Sequence, residues 1–211
     1  MLDFTKTNTL LKKYKIPSCE SVLCKKPDEA IKTAKKFGFP VVLKISSPDI
    51  IHKSDIGAVI TNIKSNEELE KSFDKILKNT KKKKAKIQGI IIQKQKIGKE
   101  IIIGVKKDPQ FGYIIMFGLG GIFVEVFKDV SFRISPIDKE DAKQMIEEIK
   151  SYKILKGIRG EKSVNINGLI EILVKTSKMI EKEKKITELD FNPVIVNQKT
   201  AEVVDARIIQ E

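Results

Sequence analysis

The residues of this chain whose types and spacing allow chemistry lie mainly near its C-terminus. Asp190 and Asn192 alternate along one apolar segment, and Asp205 and Arg207 alternate along the next. The polar link at residues 197–200 predicts a hairpin in which Asn192 is opposite Asp205. Asp190 is then opposite Arg207, and all four side chains share one face. Such oxygen ligands suit Mg²⁺, which takes one or two carboxylates together with substrate phosphates, although a polar, solvated hairpin face would have the same spacing.

Two residues of the first half of the chain are further candidates. Lys44 lies inside the apolar run Val41–Ile45, where an ammonium group is costly to bury, so it is expected to face an anion. That anion is either a nucleotide phosphate or a structural carboxylate. His52, the only histidine, lies in a loop-forming segment at residues 47–57. A neutral imidazole is a nucleophile near neutral pH and can carry a phosphoryl group, whereas an ordinary surface or capping role would also fit a single histidine.

Two connecting segments offer weaker signals. Gly118-Leu119-Gly120-Gly121 joins two predicted strands and either presents backbone N–H groups to an anion or is a simple turn. It matches neither a Walker loop nor a dinucleotide-binding fingerprint. Residues 93–99 join two predicted lobes, where an adenine ring would fit, and the carboxylate of Glu100 could accept hydrogen bonds from ribose hydroxyls.

The elements that must position these residues change character along the chain. The first part alternates helices and strands, which is an α/β pattern: helices near 7–14, 27–37 and 66–77, and strands near 20–24, 41–45 and 58–63. The second part has successive strands without helices, which predicts an antiparallel sheet: 90–92, 100–105, 113–117, 122–127 and 131–134. Helices near 138–149 and 166–182 and strands near 186–196 and 201–208 complete the prediction. We expect two lobes divided near Gln93.

Composition excludes several classes of protein. With 211 residues, 41% of them hydrophobic, the chain can bury a sizeable core without disulfides. Cys19, Cys24 and a single histidine make no zinc-ligand set, so both cysteines are expected to be reduced thiols of a cytoplasmic protein. No apolar run approaches the roughly 20 residues that cross a bilayer, and no signal-peptide pattern begins the chain. We therefore expect a soluble protein with no membrane partner.

The formal net charge of +13 raises the possibility of a nucleic-acid partner. Only three of the 41 basic residues are arginine, however, and base recognition relies heavily on the bidentate guanidinium group. A solvated, lysine-rich surface that includes the run Lys81–Lys84 is the expected explanation. The alternative, a nucleic-acid-binding protein, would show an affinity that falls steeply with salt.

Taken together, several segments resemble the ATP-grasp β subunit of ADP-forming acyl-CoA synthetases, the acetate–CoA ligases of archaea. The resemblance covers nearly the whole chain and rests on these segments: 38–45, 47–57, 100–105, 108–109, 118–125, 129–136, 155–160, 188–193 and 205–207. The His-Lys-Ser-Asp sequence at 52–55 is the most specific, because generic ATP-grasp enzymes commonly have a glycine-rich loop there. The resemblance implies an ATP-grasp fold of the α/β (α+β) class. One domain, 1–211, would then consist of lobes 1–92 and 93–211 with a nucleotide bound between them.

The resemblance also implies roles for individual residues. His52 would be transiently phosphorylated, and Lys44 would contact nucleotide phosphates. The metal ligands of the related succinyl-CoA synthetases fall on Asn192 and Asp205, with Asp190 beside them. The other nucleotide-binding positions would be Gln93, Lys94, Gln95 and Glu100. Candidates for a phosphate pocket are Gly120, Gly121, Glu125, Arg133 and Arg207.

The implied overall reaction converts acyl-CoA, ADP and phosphate to the free acid, CoA and ATP, with Mg²⁺ as cofactor and ADP/ATP as substrate. The acyl and CoA chemistry would belong to a CoA-binding α subunit that carries its own phosphohistidine, in an α2β2 assembly. This chain would transfer the phosphoryl group from phospho-His52 to ADP. The alternative within the ATP-grasp class is a ligase that forms an acyl phosphate without a phosphohistidine, in which His52 is only structural.

Overall fold

The computed structural model describes residues 1–50, 53–81, 85–121, 128–158 and 160–211. His52, Glu125, the predicted strand 122–127 and most of the Lys81–Lys84 run lie outside the described residues. Within the described ranges, no helix is long and apolar enough to span a membrane. Cys19 and Cys24 are both buried thiols.

The helices and strands follow one another in an order close to the predicted one. In chain order they are α1 Phe4–Lys13, β1 Ser21–Cys24, α2 Pro27–Phe37, β2 Val41–Ser46, β3 Val59–Ile63, α3 Asn66–Lys81, β4 Gly89–Lys94, β5 Lys99–Asp108, β6 Gly112–Leu119, β7 Val130–Ile134, α4 Lys139–Glu148, α5 Tyr152–Lys156, α6 Ile166–Lys182, β8 Ile186–Val196, β9 Ala201–Val203 and β10 Ala206–Gln210.

The chain forms two compact units. The small unit is Cys19–Lys96, and the large unit combines Met1–Ser18 with Ile97–Glu211. These units differ from the predicted lobes 1–92 and 93–211 in the placement of the first 18 residues, and their boundary lies a few residues after Gln93. The physical reason is tertiary packing: Leu11 and Ile16 are buried in the core of the large unit.

The small unit is a four-stranded sheet in the order β1-β4-β2-β3, with antiparallel neighbours throughout. The helices α2 and α3 contact each other and the sheet. Alternate residues of β2, namely Val41, Leu43 and Ile45, are fully buried in the same apolar cluster as residues of these helices. The residues between them, including Lys44, therefore lie on the other face of the sheet.

The large unit is a six-stranded sheet in the order β10-β8-β5-β6-β7, and β9 also pairs with β8. The pairs are antiparallel, as predicted for strands that follow one another without helices. Along β5, the side chains of Ile101, Ile103 and Val105 are buried in one cluster with residues of the helices α1, α4 and α6. The alternate positions Glu100 to Asp108 lie on the opposite face, which we call the open face.

Local signals fix where the helices begin. Asp138 caps α4 by accepting hydrogen bonds from the backbone N–H groups of Glu140 and Asp141. The Asp141 carboxylate accepts the Asp138 N–H in return, which completes a capping box. The helix α2 begins at Pro27, which has no N–H to leave unsatisfied in the first turn.

The packing of α1 gives a test of the division into units. The substitution Leu11→Ala should lower the free energy of unfolding by about 2–4 kcal/mol, because it removes buried methyl groups and leaves a cavity. Urea denaturation would measure the loss. Lys12→Ala, an exposed position of the same helix, should be close to neutral, and an equal loss in both variants would contradict the assignment of α1 to the core of the large unit.

Candidate functional site

The C-terminal hairpin has the register that the sequence predicts. Along β8 and β9, Val194 is opposite Val203. Along β8 and β10, Asp190 is opposite Arg207. Between these two regions the Asn192 N–H donates a hydrogen bond of 3.1 Å to the Asp205 carbonyl. The predicted pairing of Asn192 with Asp205 and of Asp190 with Arg207 is therefore confirmed.

The alternation of side chains along β8 places its polar residues on the open face. Leu189 and Phe191 are buried, so Asp190 and Asn192 lie on the side of the sheet opposite to the helices. The pairing of β5 with β8 shifts register between Ile101 and Ile103, opposite Asn192 and Pro193. Such bulges re-aim side chains next to functional sites. The bulge in the sheet therefore lies at Asn192, the predicted metal ligand.

The carboxyl group of Asp190 has a shifted pKa. Burial raises its pKa, the Arg207 guanidinium lowers it, and the negative charge of Asp205 raises it. The net direction is upward, so burial and the second carboxylate outweigh the arginine. A bound cation would reverse this balance, because it stabilises the ionised carboxyl group.

The donor set fits a hard divalent cation. Asp190 and Asp205 supply carboxylate oxygens, and Asn192 supplies an amide oxygen. In the part of the chain that the structure describes, no group of three or more His, Cys, Asp or Glu side chains is arranged to hold a metal ion. Mg²⁺ does not require such a group, since it keeps several waters and binds through one or two carboxylates plus substrate phosphates. The residues therefore suit Mg²⁺ that arrives with a nucleotide.

Arg207 is the basic residue that the strand register brings to this site. Its Nε atom is buried and has no hydrogen-bond partner among the described residues. A buried guanidinium donor without a partner is costly. Arg207 is therefore suited to an anionic ligand at the open face.

Arg133, by contrast, does not join the other candidates. It lies on β7, and both of its terminal nitrogens contact the carboxylate of Glu148 on α4. Its neighbour Ser131 donates a hydrogen bond to the carbonyl of Met145, also on α4. Since α4 covers the face opposite to Asp190, the structure places Arg133 away from the predicted phosphate pocket.

The glycine pair after β6 is only partly suited to bind an anion. The Gly120 N–H donates a hydrogen bond of 2.7 Å to the Glu100 carbonyl and is therefore used within the sheet. A Cβ atom at Gly120 would lie 3.2 Å from this same oxygen, so the position favours glycine for close packing. Gly121, with φ of +65°, is exposed. Glu125 lies outside the described residues.

In the small unit, Lys44 and Gln93 share one face. Lys44 lies on β2 opposite Ile91, and Gln93 lies on β4 opposite Val42. Both side chains are on the face that α2 and α3 do not cover, and they are only 5% and 3% exposed. Two buried polar side chains thus lie in adjacent rows of one sheet face, where they can contact a polar ligand such as a nucleotide.

The remaining predicted nucleotide contacts differ in their surroundings. Lys94 is exposed and lies on the opposite face of β4 from Gln93. The side chain of Gln95 accepts a 2.5 Å hydrogen bond from the Asn62 N–H, which ties the end of β3 to the end of β4. Glu100 lies on the open face of the large unit, with an exposed side chain. His52, the predicted nucleophile, lies outside the described residues.

Sequence reasoning missed an apolar part of the open face. Gly104 lies opposite Asp190 on one side and Met116 on the other. Next to Asp190 and Arg207 there is a surface depression of about 520 Å³. We call the residues Gly104, Ile114, Met116, Phe132 and Ile134 the apolar floor. The available signal was Gly104, since a glycine inside a strand often marks a close approach by a ligand or another chain.

A family model described as an ATP-grasp domain matches residues 1–209. The chain is 52% identical over 206 residues to acetate–CoA ligase (ADP-forming) II subunit beta of Pyrococcus furiosus, a match that covers 95% of this chain and 87% of that one. It is 45% identical over 203 residues to acetate–CoA ligase (ADP-forming) I of Archaeoglobus fulgidus, covering 95% of this chain but 30% of that longer protein.

A solved structure shows the same similarity. The dinucleotide-forming acetyl-coenzyme A synthetase 1 of Ca. Korarchaeum cryptofilum, in complex with coenzyme A, Ca-AMPCP and HgCl⁺, matches with a TM-score of 0.94 and 43% identity, over 100% of this chain and 93% of that one. In a second structure of that protein, with coenzyme A and Mg-AMPPCP, the phosphohistidine segment points towards the nucleotide-binding site. That match has a TM-score of 0.85 and 42% identity over 100% of this chain and 92% of that one.

The raised pKa of Asp190 predicts how stability depends on pH. Above the ordinary aspartate pKa of about 3.9, and up to the raised value, the folded chain binds more protons at Asp190 than the unfolded chain does. The stability contributed by this residue therefore falls as the pH rises through that window. We expect Asp190→Asn to be more stable than the wild type at neutral pH, with the difference vanishing in acid, as measured by denaturant titrations at a series of pH values.

A matched control substitution at Asp108 is expected to change the stability in the opposite direction. The backbone N–H groups of Phe111 and Gln110 donate hydrogen bonds to the Asp108 carboxylate and lower its pKa. Asp108→Asn should therefore be less stable than the wild type at neutral pH, and this difference should shrink as the pH falls through the folded and unfolded pKa values. A stability profile of Asp190→Asn that parallels that of the wild type would contradict the assigned direction.

Proposed function

Because this chain belongs to the ATP-grasp family that contains the β subunits of ADP-forming acetate–CoA ligases, we propose that it is the nucleotide-binding subunit of such a ligase. The resemblance inferred from the sequence and the predicted ATP-grasp fold are thereby confirmed. In the proposed reaction, the chain transfers a phosphoryl group from a phosphorylated histidine to ADP and so produces ATP.

The observation that carries the proposal is the strand register at the open face. It brings Asp190, Arg207 and Asn192 together on one face, next to Asp205, in a protein whose family binds nucleotides. We assign Asn192 and Asp205 to Mg²⁺, with Asp190 beside them. When bound with the nucleotide, Mg²⁺ would neutralise charge on the phosphates. Arg207 is assigned to the phosphoryl group.

The small unit supplies the other proposed contacts. Lys44 would donate to the nucleotide phosphates through its buried ammonium group, which suits an anion far better than an apolar neighbour. Gln93 and Gln95 are assigned to the nucleotide, together with Lys94. In the large unit, Glu100 would accept hydrogen bonds from the ribose.

His52 is assigned as the residue that carries the phosphoryl group. The support is chemical, since His52 is the only imidazole of the chain, and a related structure has a phosphohistidine segment directed at its nucleotide site. In the transfer, the N–P bond to His52 breaks and a new O–P bond forms to the terminal phosphate oxygen of ADP. The ring nitrogens of His52 share one proton taken up from solvent, which leaves the imidazole neutral, and Lys44 and Mg²⁺ would offset the charge on the phosphates.

The β-subunit name of the relative implies that an α partner exists. We propose that this partner binds CoA, carries its own phosphohistidine and assembles with this chain as α2β2. In Archaeoglobus fulgidus, the matching region is only 30% of a longer single chain. A physical link between the ATP-grasp region and other parts of the enzyme is therefore found within this family.

A labelling experiment tests the proposed function. We expect the purified chain, incubated with Mg²⁺ and γ-labelled ATP, to acquire phosphate that is labile in acid and stable in alkali, as a phosphohistidine is. His52→Ala should acquire none, while it still binds ADP by calorimetry. Label in both proteins, or in neither even after the α subunit is added, would remove His52 from the mechanism and favour a ligase that forms an acyl phosphate directly.

The role of Lys44 has a separate test. Lys44→Met should weaken ADP binding by about 1.5–3 kcal/mol, or roughly 10- to 150-fold, because a charge-assisted hydrogen bond to phosphate is lost. Isothermal titration calorimetry would measure the change. Lys75→Met, at an exposed position of α3 in the same unit, is the matched control and should bind ADP as the wild type does. Unchanged affinity in Lys44→Met would show that Lys44 has a structural partner instead.

A further inference from the structure

We propose that the apolar floor of the open face is the surface on which the α partner docks, through an apolar segment of that partner. This inference rests on the proposed function. It concerns the residues Gly104, Ile114, Met116, Phe132 and Ile134, all of which belong to the large unit.

The first support is the inverted orientation of β7. Its sequence, Val130-Ser131-Phe132-Arg133-Ile134, alternates apolar and polar residues, so hydrophobic burial alone would turn its apolar residues towards the core. The structure has the opposite arrangement. Ser131 is buried against α4 and Arg133 pairs with Glu148, whereas Phe132 and Ile134 are 54% and 53% exposed. Two large apolar side chains are thus left in solvent, although the same strand could have buried them.

The second support is that these side chains form one continuous surface. Phe132 is opposite Met116, and Met116 is opposite Gly104. In the next row, Ile134 is opposite Ile114. Directly opposed residues on one sheet face are in contact range. The apolar residues are therefore adjacent and are not scattered singly over the surface, and contiguous apolar patches of this kind mark interaction sites.

The edge of the floor has the character of an interface rim. Charged side chains line the depression beside the apolar residues: Lys106, Asp108, Glu188, Asp190 and Arg207. Protein interfaces commonly combine an apolar centre with a polar border of this kind. Both signs of charge are present, so the surface suits a folded protein segment better than a polyanion.

The position of the apolar floor in the sheet identifies the α partner as the molecule that covers it. Gly104 of the floor is opposite Asp190, so the floor adjoins the residues assigned to Mg²⁺ and the phosphoryl group. In the proposed function the partner passes its phosphoryl group to His52, and His52 passes it to the nucleotide held by these residues. The partner must therefore come within reach of the histidine that serves this site. A second copy of this chain, paired through the same face, would set the two Asp190 side chains towards each other and obstruct the site. In a longer relative, moreover, most of the polypeptide lies outside the region that matches this chain, so a large neighbour is available.

The test uses the complex of this chain with the CoA-binding subunit from the same organism. We expect Phe132→Glu and Ile134→Glu each to weaken that complex by roughly tenfold or more, since a charge in a desolvated apolar contact is strongly unfavourable. Analytical ultracentrifugation and surface plasmon resonance would measure the affinity. Both positions are about half exposed, so the isolated variants should fold. ADP binding by the isolated variants would verify this.

Ile158→Glu is the matched control, because Ile158 is an exposed apolar residue of the large unit, at 46%, that is not part of the floor. It should leave the complex unchanged. Wild-type affinity in both floor variants would overturn the proposal. A wild-type chain that dimerises by itself, with the floor variants monomeric, would also overturn it and would make a second copy the occupant. The phosphate on His52 tests the proposed function, and the affinity of the complex tests the docking surface, so the proposed function and this inference can fail separately.

Discussion

The rest of the site depends on one constraint, namely which residues of strand β8 face the core and which face outward. Because side chains alternate across a sheet, a shift by one residue would turn Asp190 into the core and Phe191 out of it. Burying Leu189 and Phe191 contributes about 2–3 kcal/mol each, and the pairings with β5, β9 and β10 must all agree with that choice. The energy that holds the polar residues on the open face thus comes from apolar residues on the other side of the same strand.

The arrangement of Asp190, Asp205 and Arg207 that β8 fixes is electrostatically unfavourable when no ligand is bound. Burial raises the pKa of Asp190, and the charge of Asp205 acts in the same direction. Arg207 offsets part of this cost, but its own Nε atom is buried without a hydrogen-bond partner in the described structure. A divalent cation and a phosphate would satisfy the two carboxylates and the guanidinium together. The core therefore holds in place a group of charges that is complementary to a metal-bound nucleotide.

The sequence predicted the parts of this arrangement that depend on local signals. The short polar link at residues 197–200 determines the hairpin register. The helices predicted near 27–37 and 166–182 have the same bounds in the structure. Two differences between the structure and the sequence-based expectations have a common origin in tertiary packing. The segment before Cys19 joins the large unit because Leu11 packs there. Arg133 lies on the helix-covered face because Glu148 on α4 pairs with it, although the alternation of β7 alone favours the reverse orientation.

That reversal connects the stability of the large unit to its function. With Ser131 and Arg133 turned inward, polar contacts that need specific partners add to the apolar packing of α4. The apolar side chains Phe132 and Ile134 are left for another molecule. The open face then has two parts, a polar part along β8 and β10 and an apolar part along β6 and β7. If a partner covers the apolar part, water is displaced beside Asp190, and the attraction between the fixed charges and a phosphoryl group becomes stronger in the lower dielectric. The orientation of one edge strand would in this way couple assembly with the partner to the electrostatics of phosphoryl transfer.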